Sequence, residues 1–167
     1  MPSPPPMPHT LMQWDAPPAP GESWCLHRRV LPQHTDHAGV MWHGAYIAWL
    51  EEARVEALAA AGLAYSMLSS EGFEMPVVHL AMDYRAPLVH GDQAEVRSLV
   101  RPRRGLRIPW HSWFIGPGEK VAAAALVELV FVDFSAGPGQ RKVLRRLTPQ
   151  AAKALDRLTA GPPGCSS

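Results

Sequence analysis

Apolar positions change period along this chain of 167 residues, and the changes divide it into elements. The stretch Trp24 to Gln33 reads as a first strand that ends near Pro32. From His43 to Ala61 the spacing becomes three and four. Tyr46, Trp49, Leu50, Ala53, Ala57, Ala60 and Ala61 share one face, and Glu51, Glu52, Arg54 and Glu56 fall elsewhere. A long helix is predicted, with Gly62 at its C′ position. Its many alanines predict a neighbour that approaches closely. A short helical piece, Leu63 to Ser70, ends at Gly72. The period then becomes strand-like over Glu74 to Tyr84, Gln93 to Val100, Leu106 to Ile115 and Val121 to Phe134, with Arg141 to Leu147 as a candidate sixth strand. Short connections without helices imply antiparallel neighbours. Thr148 as N-cap and Pro149 at N1 open a last helix to about Leu158. The order predicts an α+β fold in which a curved antiparallel sheet of five or six strands wraps one long helix.

Composition narrows the folded part. Eight of the 18 prolines fall in the first 20 residues. Proline removes backbone donors, so residues 1–22 are expected to form a disordered proline-rich arm, 23–158 one domain and 159–167 a flexible tail. A net charge of +1 argues against a nucleic-acid partner. Two cysteines, Cys25 and Cys165, make no disulfide framework. No apolar run approaches the ~20 residues of a membrane span, and no Lys or Arg precedes Arg28 to mark a signal or transit peptide. A soluble cytoplasmic location is expected.

The chemistry concentrates in His34-Thr-Asp-His-Ala-Gly-Val-Met-Trp-His-Gly-Ala-Tyr46. Asp36 sits in a glycine-containing loop seven residues before His43, where the long helix begins. The first amides of a helix lack intrahelical partners and stand at the positive end of its dipole. Such amides can hold an oxyanion, and a carboxylate beside them can act as base or nucleophile in acyl transfer.

This segment, with Ile-Ala-Trp-Leu-Glu-Glu-Ala-Arg54 after it, resembles the signature of the 4-hydroxybenzoyl-CoA thioesterase family of hot-dog proteins, in the branch of Tol-Pal-associated acyl-CoA thioesterases. The matching positions are Thr35, Asp36, Gly39, Val40, His43, Tyr46, Trp49, Glu51, Ala53 and Arg54, with Trp42 in place of a tyrosine. The segment Asp83-Tyr-Arg-Ala-Pro-Leu-Val-His-Gly-Asp92 is similar to the family's strand and turn ending in Gly-Asp. The resemblance implies hydrolysis of acyl-CoA thioesters by a single hot-dog domain without cofactor or metal. It implies Asp36 and His43 as catalytic residues, the amides of His43 and Gly44 as oxyanion site, and Arg103 and Arg104 as contacts to the CoA phosphates. It also implies a homodimer or homotetramer, because hot-dog sites lie between subunits.

The sequence departs from the family pattern at His34, where the first Asp of Asp-Thr-Asp is expected, and at His37, usually Pro or Ala. Pro32 and Pro109 also interrupt strands, which points to an edge or a bulge. Other readings of these residues stay open. Asp36 alone would make an ordinary Asx turn. His34, Asp36, His37 and His43 together look like a two-His-one-carboxylate metal cluster. Glu51 is the rival carboxylate, but it lies ~12 Å along the helix from His43 and is expected to pair with Arg54 at i, i+3. Beside CoA thioester hydrolysis stand hydrolysis of acyl-carrier-protein thioesters and non-catalytic binding of acyl thioesters.

Overall fold

A computed structural model describes residues 15–163. Its elements in chain order are β1 (Trp24–Arg29), α1 (His43–Ala60), α2 (Tyr65–Ser70), β2 (Phe73–Glu74), β3 (Val77–Tyr84), β4 (Gln93–Val100), β5 (Ile108–Gly116), β6 (Lys120–Leu129), β7 (Val132–Asp133), β8 (Lys142–Val143) and α3 (Pro149–Ala160). Five strands form an antiparallel sheet in the order β1-β4-β5-β6-β3, and β2-β7-β8 form a small second sheet. Helix α1 packs on one face of the large sheet, the arrangement the sequence predicts.

Alternation decides which face each strand buries. Val96, Phe114, Ala123, Ala125 and Val127 turn inward to meet Tyr46, Trp49, Leu50, Ala53 and Ala57 of α1 in one core. Across the middle of that face, directly opposed positions run Trp24, Ser98, Ser112, Ala125 and Met82. Three of these five are small, as close approach of an alanine-rich helix requires. The Ser98 and Ser112 hydroxyls are both buried and bond each other at 2.7 Å. In β6 the run Ala122–Ala125 has the same logic. Ala123 opposes Phe114 and Tyr84, and Ala124 opposes Trp113, so each large ring is matched by a small residue.

The opposite face of the sheet has its own apolar patch of Trp113, Ile115 and Ala124. The segment beginning at Asp15 lies against it. The Trp113 indole donates to the Asp15 carbonyl (3.2 Å), and the buried Arg97 donates to the Pro18 carbonyl (3.3 Å). Arg97 also holds Glu95 and Glu119. The proline-rich residues 1–14 lie outside the described residues, as does Cys165.

Several element boundaries differ from those the pattern predicts, each for a local reason. The first strand stops at Arg29, because Pro32–His34 form a 3₁₀ turn. Glu74 to Tyr84 divides at Pro76, which has no N–H for a ladder and whose carbonyl instead accepts from Val130 (3.2 Å). Val121 to Phe134 likewise divides, its end leaving as β7 for the small sheet. The candidate sixth strand shrinks to Lys142–Val143. Pro109 sits neither at a sheet edge nor in a bulge. It is the second residue of the central strand β5, just after β4 has ended on one side, and its carbonyl accepts from Arg101. Helix α3, capped by Thr148, closes the core through Ala151, Ala154 and Leu158.

Strand β3 is one of the two edges of the large sheet, β1 being the other. Four of its apolar side chains, Val77, Val78, Leu80 and Tyr84, remain 39–53% exposed. An edge of this length and apolarity is the kind a chain normally covers. Among the described residues no helix is long and apolar enough to cross a membrane.

Candidate active site

The loop between β1 and α1 is held by backbone bonds at both sides. Asp36 N donates to Val40 O (2.8 Å), and Trp42 N to His34 O (3.1 Å). Met41 N donates to Leu88 O (2.8 Å), and His90 N to Gly39 O (3.0 Å), which ties the loop to residues 86–92 after β3. Gly39 N closes the turn on Asp36 O with φ +77°, a conformation glycine adopts without a Cβ penalty. Within this turn Asp36 Oδ1 accepts from Ala38 N (2.9 Å) and Val40 N (3.1 Å). The Asx-turn reading of Asp36 is therefore correct for one carboxylate oxygen. Among the described residues Oδ2 makes no hydrogen bond, and the side chain is exposed.

His34 explains its departure from the family pattern. Its Nδ1 accepts from Leu31 N (3.1 Å), and its ring meets Trp49 edge-on at 5.3 Å. The imidazole thus accepts from the amide of Leu31, the N-cap of the 3₁₀ turn. His37 is exposed on the turn. Among the described residues no three His, Cys, Asp or Glu side chains stand together as metal ligands.

Helix α1 starts at His43 with Trp42 as N-cap, which supplies no side-chain acceptor. Among the described residues no side chain caps the first-turn amides of His43 and Gly44. His43 faces a cleft of about 430 Å³ lined by Val40, Met41, His43, Tyr46, Tyr84, Arg85, Ala86 and Pro87. The cleft lies where the N-terminus of α1 meets the Tyr84 end of the open strand β3. Asp36 belongs to the turn that carries Val40 into this cleft but does not itself line it. Tyr46 is buried between Tyr84 and Phe114, in edge contacts of 5.2 and 5.0 Å. Burial holds the Tyr46 and Tyr84 phenols above their ordinary range, so both stay protonated at neutral pH.

Arg103 and Arg104 are not brought to this cleft within one chain. They occupy the β4–β5 turn, whereas the Asp36 loop sits at the start of β4, some 25 Å away along the strand. Arg103 donates to the carbonyls of Arg145 (3.2 Å) and Leu144 (3.5 Å), and Arg104 is exposed. Glu51 and Arg54 do not pair. Arg54 belongs to the buried side of α1 with Leu50, Ala53 and Ala57, while Glu51 is exposed. Tyr84 and Arg85 line the cleft without having been singled out, although the Asp83–Asp92 segment carried the signal.

A family model described as the thioesterase-like superfamily matches residues 30–158. The chain belongs to the thioesterase-like superfamily. It is 35% identical over 132 residues to an esterase-named protein of Synechocystis sp., covering 78% of this chain and 76% of that one. It is 28% identical to the acyl-CoA thioester hydrolase YbgC of Escherichia coli O6:H1, covering 63% of this chain and 78% of that one. Among solved structures, the 1,4-dihydroxy-2-naphthoyl-CoA thioesterase Slr0204 from Synechocystis superposes with a TM-score of 0.72 at 23% identity, covering 81% of this chain and 97% of that one. Family and architecture agree on the hot-dog thioesterase fold, and the chain is an enzyme of the thioesterase kind.

Proposed function

We propose that the protein hydrolyses acyl-CoA thioesters to the free acid and CoA, as a member of the Tol-Pal-associated branch of 4-hydroxybenzoyl-CoA thioesterase relatives. The observation that carries this reading is the cleft where the uncapped start of α1, the braced Asp36 turn and the open edge of β3 converge. The thioester carbonyl oxygen lies against the amides of His43 and Gly44. Asp36 takes a proton from the attacking water, and the C–S bond breaks with the CoA sulfur leaving as thiolate and the acid released. Alternatively Asp36 attacks the carbonyl carbon itself, the thiolate leaves, and water then hydrolyses the mixed anhydride to free acid and Asp36 carboxylate.

The exposed edge supports a homodimer, on which a tetramer can be built. Two copies related by a twofold axis pair their β3 strands antiparallel. The Val77 end of one β3 then lies beside the Tyr84 end of the other. That turns the β4–β5 hairpin of the second copy toward the cleft of the first, so Arg103 and Arg104 of the partner subunit bind the CoA phosphates. Arginine's forked donors suit that task.

Replacing Asp36 by Asn keeps the acceptor oxygen that braces the turn and removes the base. Hydrolysis of a CoA thioester panel should fall at least ~100-fold with the fold and dimer intact. Near-wild-type rates would refute the assignment. Faster turnover of acyl-carrier-protein thioesters than of matched CoA thioesters would instead favour the protein carrier.

A further inference from the structure

Gly44 is the second residue of α1, and the Trp42 indole lies directly on it. A Cβ at position 44 would meet three carbons of the six-membered ring, Cζ2 at 2.8 Å and Cζ3 and Cη2 closer still. The backbone at Gly44 is not left-handed, so the ring and not the dihedral calls for glycine. The same indole meets the His43 ring edge-on, with centroids 5.3 Å apart. The main chain of Trp42 is fixed as well. Its N–H donates to His34 O (3.1 Å), and its carbonyl accepts from Ala45 N (3.0 Å). Yet Trp42 remains 45% exposed and takes no part in the core, so core packing does not account for a tryptophan there. Nor does the family pattern, which has a tyrosine at position 42 and does not include Gly44 among its matching positions.

An oxyanion site makes two opposed demands on the amides of His43 and Gly44. They must be held still, and their hydrogens must stay free. An ordinary N-cap side chain, Ser, Thr, Asp or Asn, orders the first turn by accepting from the amide two or three residues on, here Gly44 or Ala45. That bond would compete with the thioester carbonyl for a donor. Leaving the turn with neither acceptor nor contact would be no better, because glycine is the loosest residue of all. The indole meets both demands. It carries a donor but no acceptor, so it can hold Gly44 only by contact. We infer that Trp42 is a positioning residue for hydrolysis: its ring, seated on Gly44, holds the first turn of α1 in place while leaving both amides free for the oxyanion. This inference rests on the thioesterase reading above.

The test reads kcat, KM and the urea midpoint together, on the full chain and the best CoA thioester of a panel. Trp42→Ala removes the ring and should lower kcat by a factor on the order of 10 to 100, with KM within about 2-fold of wild type. Trp42→Phe keeps an apolar ring and should recover most of that loss. Trp42→Ser differs from Trp42→Ala by one oxygen, which gives the first turn an acceptor. It should therefore unfold at higher urea than Trp42→Ala and yet turn over at least ~3-fold more slowly. Activity and stability then move in opposite directions, which a purely structural residue would not produce. Wild-type kcat in Trp42→Ala would overturn the inference, as would a Trp42→Ser protein as fast as Trp42→Ala, or kcat and urea midpoint falling together from Trp42→Ala to Trp42→Ser. Gly44→Ala tests the contact with the indole still present. It should push the ring aside and lower kcat by itself, but cost less than about 2-fold more when added to Trp42→Ala. Losses that simply multiply would show that ring and glycine do not act as a pair, and the inference would fail. No hydrolysis of any thioester by the wild-type protein would instead sink the thioesterase reading beneath it.

Discussion

Replacing Ser98 by alanine removes half of a hydrogen bond that has no water to fall back on. Ser98 is 0% and Ser112 is 1% exposed, and their hydroxyls bond each other at 2.7 Å across directly opposed positions of β4 and β5. The single substitution strands the Ser112 hydroxyl in the core. A stranded buried donor costs roughly 1–3 kcal/mol, because the group loses its solvation and gains nothing. Ser112→Ala should cost a similar amount for the mirror reason. The double variant strands nothing, and it exchanges two small hydroxyls for hydrogen beneath an alanine-rich helix. Its cost should be about 0–1 kcal/mol, less than either single change. The coupling free energy in the cycle should therefore exceed either single cost and lie between about 1 and 6 kcal/mol. Urea unfolding of the four proteins, monitored by tryptophan fluorescence at one fixed chain concentration, measures each term. If the two single costs simply add, within about 0.5 kcal/mol, the hydroxyls are satisfied elsewhere and the account of this trough is wrong.

Three further outcomes follow from groups whose surroundings are equally well defined. Thr148→Ala deletes the Oγ1 that accepts from Ala151 N (3.2 Å), and should cost about 1 kcal/mol in the same unfolding assay. Burial raises the Cys25 thiol to about 11, so in a Cys165→Ser background iodoacetamide should label it roughly 100-fold more slowly at pH 8 than a free thiol, with the rate climbing up to pH 11. Rapid labelling at pH 8 would contradict that environment. For Glu95, burial acts upward, but hydrogen bonds from Arg97 outweigh it and the carboxyl stays below its ordinary 4.5. Its contribution to stability is thus complete above pH 4.5 and disappears as pH falls through the lower folded value. The difference between wild type and Glu95→Gln should be flat from pH 5 to 7 and shrink below pH 4.5. A difference that grows on acidification would reverse the sign.

What could be read from the sequence depended on how local its cause was. Helix α1 was legible from its first residue, because the three-and-four spacing lies in the helix itself and Gly62 lies just past its end. So was the Thr148 cap. The divided strands were not. Pro76 and Val130 break their runs because of where the chain must go next, to the small sheet, and alternation alone does not encode that. Arg54 was misjudged because a charge on a helix is ordinarily solvated. Only the packing of α1 on the sheet shows that position 54 shares the side of Ala53 and Ala57. Within the site, the turn at Asp36 and the start at His43 followed from spacing. The remoteness of Arg103 and Arg104 did not, since it depends on which end of the sheet each hairpin reaches. Proline content likewise argued against periodic structure near residues 15–18, but it carried no information about whether their carbonyls would meet Trp113 and Arg97.

The alanine run of β6 has a consequence for how the chain folds. Ala122–Ala125 sit between β5 and β3, in a strand paired on both sides. Yet alanine is the strongest helix former and a poor strand former. Local preference and final conformation therefore disagree here, and only the rings of Trp113, Phe114 and Tyr84 resolve the conflict. During synthesis β5 emerges first and waits, with one edge unpaired, for a segment that has no bias of its own toward extension. A peptide of residues 118–131 in water should show no strand signature and gain helix in trifluoroethanol. In the full chain, the refolding rate should rise when Ala124 is replaced by the larger but strand-favouring Thr, even where native stability drops. Small side chains that let the finished sheet accept its helix thus make one of its inner strands slow to commit.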